Sequence, residues 1–408
     1  MRILMLTQWF DPEPSFKGLQ FALALQARGH SVQVLTGFPN YPGGKVYPGY
    51  RIHLWQREVL HGIPVLRVFL YPSHSRSAIG RVLNYLSFAF SASLLGALLV
   101  KSADLAYVYH PPATVGLPAL ALKYLRHIPF VYDVQDLWPD TLTATGMVNG
   151  SVALRLLGRW CQLVYQAAGR IAVLSPGFQQ RLSERGVPSG KVRVIYNWTH
   201  AIPPAAPDAA LADSLAGRFV VLFAGNLGAA QGLDAVLEAA KLTRDRHPEV
   251  CFAFVGSGVD EPRLRQRAMV ESLGNVVFLG RRPPEAMGGV YAWASALLVH
   301  LRDDPLFAIT IPSKTQTYLA IGKPILMGMR GDAADLVRAA GAGIVFAPGQ
   351  AAALAQAVDT LLAMPESARQ RMGGAGRAYY EAHLSLAAGV QAFEEEFRRA
   401  AGVESCAS

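Results

Sequence analysis

Apolar residues along the chain fall in short runs, separated by longer stretches in which they recur every three or four positions. The first run, RILMLT at 2–7, is followed by a helical pattern near 16–28 that Gly29 closes as a C-terminal cap, and then by SVQVLT at 31–36. PVLRVF (64–69), DLAYVY (104–109), PFVYDV (129–134), RIAVLS (170–175) and KVRVIY (191–196) continue the series. Parallel neighbours in a sheet need long connections, and the connecting helices cover its faces. The alternation therefore predicts a doubly wound α/β domain over residues 1–196.

Residues 197–217, NWTHAIPPAAPDAALADSLAG, interrupt the pattern with prolines and small residues and predict a linker. It then restarts with FVVLFA (219–224), CFAFVG (251–256), NVVFLG (275–280), SALLVH (295–300), KPILMG (323–328) and AGIVFA (342–347). A second doubly wound domain is expected over 218–380, with a C-terminal helical segment, 381–408, placed to pack across both domains. A chain of 408 residues with 51% hydrophobic composition can fill two cores.

GNLGAAQGLD, Gly225 to Asp234, joins the first strand of the second domain to its first helix. Ligands of open α/β sheets bind outside the carboxyl ends of the strands, and glycine lets a ligand approach the main chain. A helix beginning near Ala229 would turn its free N–H groups and dipole toward a phosphate. Gly225, Asn226, Leu227, Gly228, Gln231 and Gly232 are the candidates there; a ligand-free tight turn is the other reading. VGSGVDE, with Gly256 and Gly258, repeats the arrangement. In IPSKTQTYLAIGKPIL, Pro312 and Ser313 read as a helix start, with Ser313 as its cap, Lys314 beside it and Gly322 at its end. Three such turns on one sheet predict a crevice for a nucleoside diphosphate.

Charge changes the picture for the first domain. Residues 1–205 hold 19 Lys+Arg against 8 Asp+Glu, or +11, while the remainder holds 19 against 21, or −2. A one-sided basic surface suits anionic lipid headgroups, a pyrophosphate or nucleic acid, and equally an ordinary solvated face. Between Arg81 and Lys101 lie nineteen uncharged residues, VLNYLSFAFSASLLGALLV. As a helix at ~1.5 Å per residue they would span about 28 Å, enough for a membrane crossing. A crossing would put strands of one sheet on opposite sides of a bilayer, so two readings remain. Leu83, Leu86, Phe90, Leu94 and Ala97 face the core, or the helix shows apolar surface to a membrane interface with Arg76, Arg81 and Lys101 at its ends. Cys161, Cys251 and Cys406 have no paired spacing, which argues against a disulfide framework or thiolate metal site and fits a reducing cytoplasm. The N-terminal apolar run is too short for a signal peptide, so no export is expected.

GNLGAAQGLD, VGSG, FLGRRP and PSKTQTYLAIGKPI resemble the donor domain of GT-B glycosyltransferases of family four. DPEPSFKGLQFALALQARGHSVQVLTGFPNYPGGKVYPGY and YDVQDLWPD resemble the branch of L-fucosamine (6-deoxy-amino-sugar) transferases of bacterial O-antigen and capsule assembly. The resemblance spans nearly the whole chain. It implies a GT-B fold of two Rossmann-like domains facing a cleft, with a UDP-sugar on the second domain and an acceptor on the first. It places Gly225 to Gly232, Ser313 and Lys314 on the diphosphate and Arg281 near the base. The sequence departs from the wider family where Gln231 replaces a basic residue. Ile309 and Thr317 fall where a pair of glutamates is usual, and Gln135 replaces a histidine that reaches the donor's distal hydroxyl. The last change hints at an altered sugar.

Sugar transfer needs a stabilised diphosphate leaving group and an oriented acceptor hydroxyl. No Asp-x-Asp motif occurs in the chain, so no metal and no cofactor beyond the donor substrate is expected. An inverting reaction needs a carboxylate base; Asp136 is the first candidate, then Glu13 and Asp11, with His110 a further polar group at a strand end. A retaining reaction would need none, and Asp136 also reads as a turn cap. A polyprenyl-diphosphate-linked saccharide matches a basic, partly apolar first domain, with Lys17, Gly18, Arg51, Arg57, Arg76, Arg81 and Lys101 as candidate acceptor or membrane contacts. The expected location is peripheral, on the cytoplasmic face of the bacterial plasma membrane. Rival readings are a UDP-sugar epimerase on the same architecture, a noncatalytic UDP-binding partner subunit, and a nucleic-acid binder, which no aromatic-basic repeat supports.

Overall fold

The computed structural model describes residues 1–73, 78–141 and 150–403, which leaves Arg76 and Cys406 outside the described residues. The chain divides into two units, Met1–Tyr196 with Leu386–Ser408, and Asn197–Ser385.

The first unit is built on strands β1 (Arg2–Leu6), β2 (Ser31–Gly37), β3 (Trp55–Leu60), β4 (Ile63–Val68), β5 (Leu105–His110), β6 (Phe130–Val134), β7 (Arg170–Val173) and β8 (Val192–Val194). They form one sheet in the order β3-β4-β2-β1-β5-β6-β7-β8. β1 lies between β2 and β5, with Arg2 opposite Ser31 and Ile3 opposite Leu105. Every residue of β5 and β6 is buried, as expected for strands covered on both faces. The sequence pattern does not announce β3, whose WQREVL alternates exposed and half-buried positions; it pairs antiparallel to β4 as an edge strand.

The apolar helix at 79–99 faces the other way from the first expectation. It runs through Ala78–Ser91, a π turn at Ala92–Gly96 and Ala97–Leu99. Leu83, Leu86, Phe90 and Leu94 are exposed, whereas Asn84, Phe88, Ala89, Ala92, Gly96 and Ala97 are buried. Small residues let the helix lie close to the sheet: a Cβ on Gly96 would sit 2.5 Å from Leu35 Cδ2. The buried Asn84 accepts from Gln8 Nε2 at 2.6 Å and donates to Tyr71 O at 2.7 Å, which fixes its face inward.

The last helix, Leu386–Ala400, belongs to the first unit. Its Phe393 ring packs against Phe21 and Tyr107, at centroid distances of 5.3 and 5.4 Å. Buried Glu394 pairs with Arg28 and His30, and buried Glu396 with Arg170 and Arg193. The preceding helix, Glu366–His383, lies in the second unit.

The second unit carries β9 (Phe219–Ala224), β10 (Val250–Val255), β11 (Val276–Gly280), β12 (Ala296–His300), β13 (Ile325–Gly328) and β14 (Gly343–Val345), all parallel, in the order β11-β10-β9-β12-β13-β14. Its core gathers Val221, Phe223, Phe252, Phe254 and Leu298 from the sheet with Val236, Leu237 and Val358 from the helices. The strand order reverses between β9 and β12, the place where such sheets open a crevice. Residues 197–217 are not a free linker: Leu211 and Leu215 are buried, and Trp293 Nε1 donates to Asp208 O at 2.9 Å.

Candidate functional site

At that switch point of the second unit lies a cavity of about 690 Å³, lined by the residues that follow the carboxyl ends of β9, β10, β11 and β12. Gly225, Asn226, Gln231, Gly256, Arg281, Pro312, Ser313, Lys314 and Thr317, singled out from the sequence, are all in its wall. Gly225 adopts φ +146, and a Cβ there would stand 3.3 Å from Lys314 Nζ. Only glycine leaves that approach open. The wall carries three cations, Arg281, Arg282 and Lys314, and no Asp or Glu side chain.

Four expected ligand residues stand elsewhere. Leu227 is buried, its N–H donates to Ser257 O at 2.9 Å, and its carbonyl accepts from Asp260 N. Gly258 packs on that same carbonyl, which a Cβ would approach to 2.3 Å. Both residues lock two turns together rather than opening to the cavity. Gly228 starts a 3₁₀ turn, Ala229–Gln231, and Gly232 closes it with φ +61. The expected helix at Ala229 begins instead at Asp234, because left-handed Gly232 breaks the path between turn and helix. Asp234 is itself held by Arg263 at 2.7 and 2.8 Å.

The helix Ser313–Ile321 starts as expected but not with Ser313 as its cap. Pro312 is the N-cap, Ser313 is the first helical residue, and no side chain caps the end. Ser313 and Lys314 lead it at the cavity wall, while Thr315 N–H already donates to Pro312 O at 2.8 Å. Tyr318 anchors this helix to the end of β9, its hydroxyl accepting from Ala224 N at 2.9 Å and donating to Ala224 O at 3.3 Å. Thr317 Oγ1 donates to Ser313 O and meets Thr199 Oγ1 at 2.9 Å.

Lys314 Nζ stands 3.8 Å from the centroid of the Phe223 ring and donates to Gln231 Oε1 at 2.9 Å. Burial against the ring lowers its pKa to about 7. Gln231 is held from behind by His300: Gly349 N–H donates to Nε2 at 3.1 Å, so Nδ1 carries the proton and donates to Gln231 O at 2.6 Å. Burial keeps His300 below the ordinary histidine range and hence neutral. Sequence reasoning did not single out His300, Arg282, Met287 or Tyr291; the last residue of SALLVH and the doubled arginine of FLGRRP were the available signals.

In the first unit the candidate carboxylates sit at strand ends on either side of its own reversal point, between β1 and β5. Asp11 Oδ2 accepts from Leu19 N at 2.7 Å and so caps the helix Leu19–Ala27. Gly18 is buried beneath it, where a Cβ would lie 2.4 Å from Asp11 Oδ2; it is a packing glycine, not an acceptor or membrane contact. Lys17 corrects another expectation. It is wholly buried, with its Nζ 2.6 Å from Asp133 Oδ2, and touches neither solvent nor membrane. Tyr107 OH donates to the same oxygen at 2.6 Å, and Gln135 Nε2 to Asp133 Oδ1 at 2.7 Å. Arg81 is half-buried, and Arg51, Arg57 and Lys101 are exposed.

Glu13 is buried, accepting from Asn40 N at 2.6 Å, Tyr41 N at 2.7 Å and Phe10 N at 3.3 Å. Burial pushes its carboxyl up to about 7, outweighing the three amides that pull it down. It braces the loop after β2. Glu13→Ala should remove the acceptor of three amides and cost about 1–3 kcal/mol, visible as faster hydrogen exchange at Phe10, Asn40 and Tyr41. His110 is buried with its ring 5.6 Å from that of Trp138, and burial lowers it to about 3, so it is neutral at pH 7. Asp136, just past β6, is raised by burial alone, and it is half-exposed.

Residues 19–198 match the family described as Glycosyl transferase 4-like domain, and residues 218–364 the family described as Glycosyl transferases group 1. Both halves are glycosyltransferase family domains. The two Rossmann-like sheets are those of the GT-B fold. Over 97% of this chain and 99% of that one, the structure matches Anabaena HepE in complex with UDP, at TM-score 0.68 and 18% identity. Sucrose-phosphate synthase from Thermosynechococcus elongatus matches at TM-score 0.65 and 19% identity, over 99% of this chain and all of that one. Among curated relatives, the "probable glycosyltransferase" WbjE of Pseudomonas aeruginosa is 25% identical over 78% of this glycosyltransferase chain and 80% of its own. WcaI of Escherichia coli K12, a glycosyl transferase named for colanic acid biosynthesis, is 27% identical over 73% and 75%.

Proposed function

We propose that this glycosyltransferase moves a sugar from a UDP-sugar to a polyprenyl-diphosphate-linked saccharide in bacterial surface-polysaccharide assembly, at the cytoplasmic face of the membrane. The observation that carries the reading is the second-unit cavity, walled by three cations and an uncapped helix N-terminus with no carboxylate among its lining residues. That wall suits a diphosphate and offers a divalent metal no acidic ligand, so Lys314, the arginines and the Ser313 helix would carry the leaving-group charge. HepE structures hold UDP and UDP-glucose, which supports a uridine nucleotide, and the name of WcaI, with its colanic acid, supports polysaccharide assembly.

The donor we infer is an N-acetylated 6-deoxy amino sugar. The family resemblance supports it: Gln135, which donates to Asp133, falls where that resemblance implies a histidine for the sugar's distal hydroxyl. If the transfer inverts configuration, Asp136 takes the acceptor proton: it is partly exposed, whereas Glu13 is buried on three amides and Asp11 caps a helix. Asp136→Asn is expected to lower turnover by about 10²–10⁴ while UDP affinity stays unchanged by calorimetry. An active variant would exclude Asp136 as the base.

The overall test offers a panel of UDP-sugars with a lipid-diphosphate acceptor and reads product mass and anomeric configuration. Transfer from a 6-deoxy amino sugar supports the full reading. Transfer from glucose alone removes the donor assignment, and UDP binding without transfer removes the enzymatic one.

A further inference from the structure

The helix Ile79–Leu99 turns a row of large apolar side chains outward. Ile79, Val82, Leu83, Leu86, Phe90, Leu94 and Leu98 are between 40% and 79% exposed, the last being the most open. Their spacing of mostly three and four places them along one face over five turns of helix, ~30 Å long. Soluble monomers seldom leave so continuous an apolar face uncovered.

Its surroundings are basic. No carboxylate occurs between Glu58 and Asp104, nor between Asp104 and Asp133, and Asp104 is held by Arg2 at 2.6 Å. At the carboxyl end of the helix Arg57 Nη2 donates to Leu99 O at 2.7 Å, Arg126 Nη1 donates to Ala97 O, and exposed Lys101 follows directly. Arg81 marks the first turn. Apolar residues along the middle, with cations at both ends, complement the acyl boundary and the anionic headgroups of a bilayer.

The geometry points to this face as the surface by which the first unit lies on an anionic membrane, with the helix parallel to the bilayer and not across it. A crossing would tear Asn84 from Gln8 and Tyr71 and Gly96 from Leu35. The inference deepens the reading of a lipid-linked acceptor, since it names how the enzyme meets the surface where such an acceptor lies. It depends on the first unit alone, so it stands or falls separately from nucleotide chemistry.

The test is co-sedimentation of the full chain with phosphatidylglycerol-containing and pure phosphatidylcholine vesicles, beside a triple variant, Leu86→Ser, Phe90→Ser, Leu94→Ser. All three side chains are exposed, so the fold should persist and UDP affinity should match that of the unaltered protein. Expected are binding at least tenfold stronger to anionic than to neutral vesicles, weakening with salt, and a tenfold or greater loss in the triple variant. Equal binding of variant and parent, or no binding of the parent, overturns the proposal. So does a parent that ignores vesicles yet forms a dimer that the variant abolishes, which would assign the face to a second copy. Loss of UDP binding with vesicle binding intact would strike only at the proposed reaction.

Discussion

Replacing Lys314 by Met should lower turnover by about 10²–10³, the usual effect of removing one preorganised donor from a developing negative charge. Its Nζ sits between the Phe223 ring and Gln231 Oε1, aimed into a cavity without carboxylates. A more specific consequence follows from burial, which lowers Lys314 to about 7 in the ligand-free protein. Near neutrality a sizeable share of the molecules therefore holds an uncharged amine. A diphosphate favours the ammonium, so binding above pH 7 takes up a proton, and UDP affinity should fall as pH rises, approaching tenfold per unit. Calorimetry in buffers of unlike ionisation heat would register that uptake directly. In Lys314→Met the uptake should vanish; an unchanged pH slope in the variant would assign the proton to another group. Arginine should not restore activity, because a planar fork does not fit the pocket that Gln231 and Phe223 make for a point charge.

Lys314 was legible in the sequence because IPSKTQTYLAIG carries a helix start and stop around it, and a lysine at such a start has few other uses. The strands were legible for a related reason: FVVLFA and LAYVYH are buried on both faces, and continuous apolar runs follow from that. β3 was not, since WQREVL sits at an edge with charges among its apolar residues. The helix at 79–99 shows where periodicity stops. A stripe at helical spacing marks one face but not which way it points. Here Gly96, Ala89 and Ala92 win the inward side because close approach to the sheet needs small residues, and Asn84 wins it through hydrogen bonds to segments distant in sequence. His300 was hidden likewise, since its role depends on Gln231 and Gly349, each far along the chain.

Lys17 was misread because an isolated lysine is ordinarily exposed, and its burial sets up the largest stability effect expected here. Lys17→Met would leave the Asp133 carboxylate in the interior without its counter-charge, at a cost of about 3–5 kcal/mol. For a unit of this size each kcal/mol is worth ~2–4 °C, so the melting transition of the first unit should fall by roughly 6–20 °C. The reverse variant, Asp133→Asn, should be milder. Burial already lowers Lys17 and Asp133 opposes that, so without the carboxylate the amine gives up its proton more readily and less charge is left buried. That difference has a signature in pH. In Asp133→Asn the unfolded lysine stays charged up to ~10.4 while the folded one loses its proton at lower pH, so over that interval the unfolded state binds more protons and stability should climb as pH rises toward ~10.4. Lys17→Met has no such group and should gain nothing over the same range. The double variant Lys17→Met, Asp133→Asn should recover most of the loss, since it leaves no unpaired buried charge and the asparagine carbonyl keeps one of the two donors, Tyr107 or Gln135, which reach different carboxylate oxygens. Calorimetric scans of the three variants between pH 7 and 10 would decide it. Equal losses in both single variants, or a double variant no better than Lys17→Met, would mean that packing of the lysine stem and not charge pairing holds this part of the core.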